Sequence, residues 1–388
     1  MKYIIFLCIF LINSLSLTAS ITAGYLHNLF LDANGHVWSA GYNSHVQLGL
    51  GYKAIRTVPA KIDNLPTIKA IAVGSYHSLF LDEDGYVWAT GSNSCGQLGL
   101  GDKTTRTIPI KIDKLPTIIA IAAGDSNSLF LDVNGSVWAT GYNLYGQLGL
   151  GDETTRKVPT KIYTLPTIIA IEAGTYHSLF LDENGYVWAT GNNCYGQLSL
   201  GDKTSRSVPT KIDNLPTIIA IAVGNSNNLF LDANGHVWAT GSNFYGQLGL
   251  GDKTSRSVPT KIDNLQTIIA IAAGSYHSLF LDEDGYVWAT GNNSCGQLSL
   301  GDKTSRSVPI KIDNLPTIIA IAAENSHSLF LDINGYVLAI GSNSTGQLGL
   351  GDETTRTVPT KIDNLPIIYI RKKNNTKSAS NIADLEMF

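Results

Sequence analysis

Gly96-Gln97-Leu98-Gly99-Leu100-Gly101-Asp102 is the stretch that points to the fold, because related copies return at a fixed interval. The copies are fifty residues apart and begin at Gly146, Gly196, Gly246, Gly296 and Gly346, with an altered one at Val46–Gly51. A second motif, Leu-Phe-Leu-Asp, keeps the same spacing and occurs seven times. A fixed period of this length predicts a propeller, a solenoid or an array of modules.

The repeat at residues 117–162 has the pattern of several short β-strands. Thr117–Ala123 is a nearly continuous apolar run, which predicts an innermost strand that is buried on both faces. Ser128–Asp132 and Ser136–Thr140 read as the next two strands. They flank Asn134-Gly135, a dipeptide typical of a tight hairpin because it supplies the positive φ angles that such turns need.

The fourth strand of this repeat is predicted at Val158–Ile162. It carries Pro159 and Lys161, residues typical of an exposed edge strand because both discourage further pairing. Sheets this small with apolar faces must pack against one another to be soluble. The sequence therefore predicts an all-β protein, a seven-bladed β-propeller of four-stranded antiparallel blades spanning residues 17–370.

The two ends of the chain leave alternatives open. Residues 1–16 are either an apolar secretory leader or the degenerate start of a repeat. Leu17–Ala23 and Ile367–Ile370 compete for the innermost strand of the first blade. Residues 371–388 are polar and predict a disordered tail. Localisation, inside the cell or secreted, depends on whether the leader is removed.

Composition and cysteine spacing argue against several classes of function. A net charge of -4, with acidic residues beside the basic ones of the outer rim, argues against nucleic-acid binding. The four cysteines form no Cys-x-x-Cys pair, so neither a zinc site nor a redox pair is expected. We expect no metal, no cofactor, no stable membrane insertion of the mature fold, and a monomer.

Histidines recur at one position of the repeat, and asparagine replaces them twice. We interpret them as structural side chains that bond the turn after the innermost strand, with asparagine substituting as a hydrogen-bonding group. A triad such as His77, Ser78 and Asp82 would recur around the ring, whereas catalytic sites are singular. No catalytic residue is expected, and the protein is predicted not to be an enzyme. The residues at this position are His27, His77, Asn127, His177, Asn227, His277 and His327.

The repeated elements together resemble the regulator of chromosome condensation repeat family. The shared features are the small strand ending in glycine, His-Ser-Leu-x-Leu, the Asp-Gly turn and Gly-Gln-Leu-Gly-Leu-Gly-Asp. The resemblance implies a seven-bladed propeller, and the family includes exchange factors for small GTPases. All units here have equal length, so the inserted wedge of the exchange factor is not seen.

Differences between the repeats concentrate in two connections that should share one face of the propeller. They carry tyrosine, phenylalanine, histidine, asparagine and aspartate, which suit an adaptable contact surface. We predict a non-enzymatic scaffold that binds a protein partner through this face. One alternative is a guanine-nucleotide exchange factor, with a small GTPase as partner, and another is a secreted surface or glycan binder. The predicted partner-binding residues are Tyr25, His45, Tyr76, Asp125, Tyr145, Tyr176, Tyr195, Asn225, Phe244, Tyr245, Tyr276 and Asn325.

Overall fold

Seven antiparallel sheets of four strands form the part of the chain, residues 20–368, that the computed structural model describes. Each sheet is one blade, and its strands lie in chain order from the innermost to the outermost. The predicted seven-bladed propeller is confirmed. No helix able to span a membrane occurs among the described residues. The predictions for residues 1–16 and 371–388 lie outside them.

The innermost and second strands of each blade are short. A three-residue connection joins them in blades one to six, and a two-residue connection joins them in blade seven, where the innermost strand is longer. From blade one to blade seven, the innermost strands are Ile21–Ala23, Ile68–Val73, Ile118–Ala123, Ile168–Ala173, Ile218–Val223, Ile268–Ala273 and Ile318–Glu324. The second strands are His27–Leu31, His77–Asp82, Asn127–Asp132, His177–Asp182, Asn227–Asp232, His277–Asp282 and His327–Asp332.

The third and outermost strands are joined by the long connection that carries the glycine-rich motif. The third strands are Val37–Gly41, Val87–Gly91, Val137–Gly141, Val187–Gly191, Val237–Gly241, Val287–Gly291 and Val337–Gly341. The outermost strands are Arg56–Lys61, Arg106–Lys111, Arg156–Lys161, Arg206–Lys211, Arg256–Lys261, Arg306–Lys311 and Arg356–Lys361.

The core lies between neighbouring blades, because each sheet has two apolar faces. Leu129 and Leu131 of blade three pack with Phe180 of blade four, whereas Phe130 points the other way and packs with blade two. All seven phenylalanines at this position are fully buried. Burying one such side chain contributes about 1.5–3 kcal/mol. The side chains of this strand therefore alternate between the two faces of the sheet.

The glycine-rich motif fastens each blade to the next one. Gly146 has φ 78°, and a Cβ there would lie 2.4 Å from the Cα of Ser207 in the next blade. Further along, the Gly151 amide donates to the Ser207 carbonyl at 2.9 Å. Glycine is needed at residue 146 both for the left-handed backbone and for this close approach. The motif therefore acts as the connector between blades.

A buried aspartate closes the hairpin between the second and third strands. One carboxylate oxygen of Asp82 accepts from the Tyr86 amide at 2.8 Å, and the other accepts from the Trp88 indole at 2.9 Å. The recurring aspartate and tryptophan are thus partners within a blade. In blade seven Leu338 replaces the tryptophan, and Asp332 keeps only its bonds to turn amides.

The recurring histidines make a different contact from the one that the sequence suggested. Nε2 of His77 lies 2.9 Å from Ser128 Oγ in the next blade, so the histidine bonds a neighbouring blade and not its own turn. The prediction that asparagine substitutes in this role is wrong. Asn127 and Asn227 are buried, and their side-chain nitrogen and oxygen have no hydrogen-bond partner. The shorter side chain stops before the serine.

Blade seven meets blade one, so the ring is closed. His327 Nε2 lies 2.8 Å from Asn28 Oδ1, and Asn28 in turn donates to the Gln347 carbonyl at 2.7 Å. The innermost strand of blade one is Ile21–Ala23. The amide of the buried Ile368 donates a hydrogen bond to the Gly335 carbonyl of blade seven. The Ile68 amide makes the equivalent bond to the Gly35 carbonyl in the turn of blade one. Among the described residues, both ends of the chain thus contribute to the closing junction.

Two predictions about strand environments are wrong in detail. The innermost strand is not buried on both faces, because Ile121–Ala123 line the central channel and Ile119, at a bulge in the pairing with the second strand, is 49% exposed. In the outermost strand Pro159 is buried beneath the Gly99 loop of the preceding blade, while Val208 is 42% exposed. The edge is therefore covered by a neighbouring loop as well as being blocked by proline.

Candidate functional site

The two connections predicted to share a face do so. In blade two the Ser92 amide, which begins the long connection, donates to the carbonyl of Tyr76 in the short connection at 2.8 Å. The equivalent bond is present in all seven blades. We call the surface formed by these connections the loop face, and the opposite surface, which carries the turns between second and third strands, the hairpin face.

The first aromatic cluster of the loop face joins blades one and two. The ring centres of His45 and Tyr76 are 4.6 Å apart, and those of Tyr25 and Tyr76 are 6.4 Å apart. Tyr42 extends the group, with its ring centre 6.0 Å from that of His45. The structure therefore brings together three residues that the sequence predicted for the partner-binding face.

A second cluster has the same arrangement between blades three and four. The ring centres of Tyr145 and Tyr176 are 4.9 Å apart, and Tyr142 lies 6.1 Å from Tyr176. Leu144, in the same connection, is 56% exposed. Tilted ring pairs at these separations are favourable contacts, and they hold the rings in place on the surface.

Two further aromatic pairs complete the set. Tyr195 and Phe244 meet edge to face between blades four and five, with ring centres 5.5 Å apart. Tyr245 and Tyr276 meet between blades five and six at 5.2 Å. Phe244 is 57% exposed, so its ring is only partly covered by Tyr195. Aromatic contacts thus recur along the loop face, and each cluster or pair includes a contact that crosses a blade boundary.

The polar members of the predicted set lie nearer the central channel. Asp125 and Asn225 line its mouth on the loop face, together with Glu324. The Ser126 hydroxyl donates to Asp125 at 3.0 Å, and the Ser275 hydroxyl donates to Glu324 at 2.9 Å. Asn325, next to Glu324, lies in the connection that follows the innermost strand of blade seven. The twelve predicted residues therefore belong to one surface, with aromatic pairs around an acidic mouth.

The central channel encloses about 320 Å³ and is lined mainly by isoleucine, alanine and valine side chains. Glu172 is an exception in its wall, where other blades carry alanine or threonine. Burial raises the pKa of Glu172 and of Glu324 to about 7. An ionised carboxylate in this channel loses hydration, so the neutral form is favoured.

Tyrosine ionisation is also suppressed on this face. Partial burial raises the pKa of Tyr76, Tyr142 and Tyr176 above the usual value, and the charge of Asp125 adds to the effect. The phenol groups are therefore protonated at neutral pH and can donate hydrogen bonds. A neutral aromatic surface with hydroxyl donors suits contact with another macromolecule.

Histidine and cysteine side chains are spread over several blades in the described part of the chain. They contain no group of three histidine, cysteine or acidic side chains that could hold a metal ion. Cys95, Cys194 and Cys295 are free thiols on separate blades. The recurring histidines are fully buried, and burial lowers the pKa of His77 to about 4.

Several residues of the loop face were missed by the sequence reasoning. Tyr42 and Tyr142 belong to the aromatic clusters, and their position varies between repeats just as the chosen ones do. Leu144 stands next to a chosen residue in a connection already marked as variable. Glu172 and Glu324 depart from alanine and glycine positions, which was the available signal for both.

Comparison with known families agrees with this architecture. The RCC1-like domain family matches residues 9–270, more than half of the chain. The chain belongs to the RCC1-like family. Regulator of chromosome condensation (RCC1) repeats match residues 268–297, 284–331 and 334–371 of this RCC1-like chain as well. No curated protein sequence matches it.

Solved structures with the same fold include yeast RCC1 (Prp20) bound to Kap60, which is 27% identical to this RCC1-like chain. That match covers 89% of this chain and 88% of the other, with a TM-score of 0.78. Prp20p from Saccharomyces cerevisiae, described for its binding to Gsp1p and histones, is 28% identical over 87% and 88%, with a TM-score of 0.77. Human WBSCR16 shares the fold at 23% identity over 84% and 93%, with a TM-score of 0.78.

Proposed function

We propose that this RCC1-like propeller is a non-enzymatic scaffold that binds a protein partner through its loop face. The observation that carries the proposal is the set of exposed aromatic groups that cross blade boundaries. Tyr145, Tyr195 and Tyr245 are 38–40% exposed, although each already contacts another ring. Aromatic side chains dominate the energetics of protein interfaces because they bury large areas at low entropic cost.

The distribution of sequence variation supports the same surface. The repeats are nearly identical in their strands and differ in the connections that form the loop face. Binding residues are commonly carried on loops that a rigid scaffold positions. Similar structures add support, because yeast RCC1 (Prp20) was solved bound to Kap60. A partner that covers several blade boundaries at once would reach the roughly 800 Å² per side of a stable interface.

Affinity capture with two matched variants tests the proposal. In the loop-face variant Tyr145, Tyr195, Phe244 and Tyr245 are replaced by serine. In the control variant four exposed tyrosines of the hairpin face are replaced by serine, namely Tyr86, Tyr186, Tyr286 and Tyr336. A partner captured by the natural chain and identified by mass spectrometry should be lost with the loop-face variant and kept with the control. Loss with the control alone would contradict the proposal.

A second candidate function is guanine-nucleotide exchange on a small GTPase. The observation that favours it is the 28% identity to Prp20p, a protein with binding properties to Gsp1p, over most of both chains. Acidic groups at the centre of the loop face, including Asp125, would then contact the GTPase. Release of a fluorescent guanine nucleotide from a panel of small GTPases separates the candidates. Accelerated release favours exchange, and binding without acceleration favours the scaffold.

A further inference from the structure

Six of the seven outermost strands begin with an arginine that is neutralised by its own blade. Arg106 Nη2 lies 2.6 Å from Asp102 Oδ2, and Nη1 donates to the Thr104 carbonyl at 2.5 Å. The same ion pair, at 2.6–2.7 Å, recurs in blades three to seven. Each arginine thus has a carboxylate supplied from four residues earlier in the glycine-rich connection.

Blade one keeps the arginine and has lost its carboxylate. Tyr52 stands where the other blades have aspartate, and among residues 20–368 no carboxylate lies within ion-pair distance of Arg56. The Nε atom of Arg56 is buried and has no hydrogen-bond partner. The positive charge of Arg56 is therefore not neutralised by its own blade, so an incoming anion that reached the guanidinium would be stabilised there.

The surroundings of Arg56 differ from those of the other arginines in two more ways. Segment 52–56, which we call the blade-one rim, contains Lys53 and Arg56 and no acidic residue. Tyr52 and Ile55 are 43% and 40% exposed, where other blades carry aspartate and threonine or serine. Because Arg56 is paired with Gly41 at the end of the third strand, the blade-one rim lies at the outer edge of the loop face.

We propose that the blade-one rim is a docking site for an acidic segment of a protein, and that a carboxylate of this segment pairs with Arg56. The other six blades show that this backbone position presents a guanidinium to a carboxylate on a short side chain. The partner supplies the group that Tyr52 has replaced. Exposed Tyr52 and Ile55 add apolar contact area beside the ion pair, as is common at protein interfaces.

Binding of a fluorescent hexaglutamate peptide, followed by anisotropy at low salt, tests this site. The natural chain should bind the peptide, and Arg56→Gln should weaken binding about tenfold, as expected for loss of a charge-assisted pair. Arg106→Gln removes an arginine that its own blade already neutralises, so binding should be unchanged. Equal weakening by both substitutions, or none by Arg56→Gln, would overturn the proposal.

Tyr52→Asp separates loss of the site from loss of the fold. This substitution restores the aspartate of the repeat, so Arg56 should pair within its own blade and release the peptide. The melting temperature should stay the same or rise. Peptide binding that survives Tyr52→Asp contradicts the site.

The class of ligand is tested with a hexathymidylate oligonucleotide of similar charge. The natural chain should prefer the peptide, because the apolar flanks suit a polypeptide. Equal or tighter binding of the oligonucleotide would overturn the assignment to a protein. The loop-face variant should bind the peptide normally, since its serines lie outside the blade-one rim.

Discussion

His77 of blade two and Ser128 of blade three form a hydrogen bond of 2.9 Å whose direction can be deduced. The Ser128 hydroxyl donates its only proton to the Gln97 carbonyl at 2.7 Å, so it accepts from His77 Nε2. Burial lowers the pKa of His77 to about 4, so the histidine is neutral with its proton on Nε2, and Nδ1 is a buried acceptor without a partner. Similar bonds start from His27, His177, His277 and His327.

Restoring one of the two missing histidines at this position of the repeat should stabilise the propeller. Asn127→His places an imidazole next to Ser178, which already donates to the Gln147 carbonyl at 2.8 Å and can accept a bond. The change also removes a buried amide that has no partner. We expect the free energy of unfolding to rise by about 1 kcal/mol, measured by urea denaturation.

The reverse substitution is the control for that experiment. His77→Asn should leave the asparagine as unsatisfied as Asn127 is now, and should lower the free energy of unfolding by about 1–3 kcal/mol. If both substitutions destabilise the fold equally, the contact between blades is not what favours histidine at this position.

Stability should fall steeply on mild acidification. Burial lowers the pKa of His77, His177 and His277 to about 4, and that of His27 and His327 to about 3, so these side chains take up protons on unfolding below pH 6.5. Their contribution is complete above pH 6.5 and is lost as the pH falls towards 4. Two glutamates with pKa values raised to about 7 oppose this, because they release protons on unfolding between pH 4.5 and 7.

Near pH 5.5, unfolding takes up about three protons in total, because five histidines gain protons and two glutamates lose them. The free energy of unfolding should then change by about 4 kcal/mol per pH unit. Urea denaturation between pH 5 and 6.5 measures this slope. His77→Asn should reduce it by about 1.4 kcal/mol per pH unit, because one proton is no longer taken up. A slope unaffected by that substitution would contradict the assignment.

Two serines in the glycine-rich motif provide a matched pair of substitutions. Ser199 and Ser299 both have positive φ, 65° and 61°, where glycine stands in other repeats. Ser199 bonds the Thr240 hydroxyl at 2.7 Å, but Ser299 has no partner because Ile340 replaces the threonine.

Ser299→Gly should therefore raise the free energy of unfolding by about 1 kcal/mol, since it removes backbone strain and a buried unpaired hydroxyl. Ser199→Gly removes the same strain together with a hydrogen bond, so its net effect should be close to zero. Thermal or urea denaturation of the two variants checks the difference. A larger gain from Ser199→Gly would show that this hydroxyl bond does not stabilise the fold.

The repeat period and local patterns were enough to predict the blades, their number and the face that carries the variable connections. Contacts between blades were harder to predict, because His77 and Ser128 are 51 residues apart and nothing local links them. The exposure of Ile119, at a bulge, and of the channel side of the innermost strand was also missed, because neither a bulge nor an open channel is apparent from an apolar run. An apolar run indicates burial, but a strand beside an open channel has only one buried face.

The candidate site was predicted only from differences between the repeats. These differences identified the positions on the loop face but not which side chains contact one another. Tyr145 and Tyr176 belong to different repeats, and their contact depends on how one blade follows the next. Arg56 required a different comparison, between the arginine of each blade and the aspartate that pairs with it. Arg56 stands out only once the other six arginines are seen to be paired.

Hydrogen–deuterium exchange of the complex with an identified partner tests most directly whether the loop face binds protein. Partner binding should slow amide exchange in the connections that follow the innermost and third strands, such as residues 74–76 and 142–146. The turns of the hairpin face, such as residues 83–86, should exchange as in the free protein. Protection confined to those turns, with the loop face unchanged, would contradict the account.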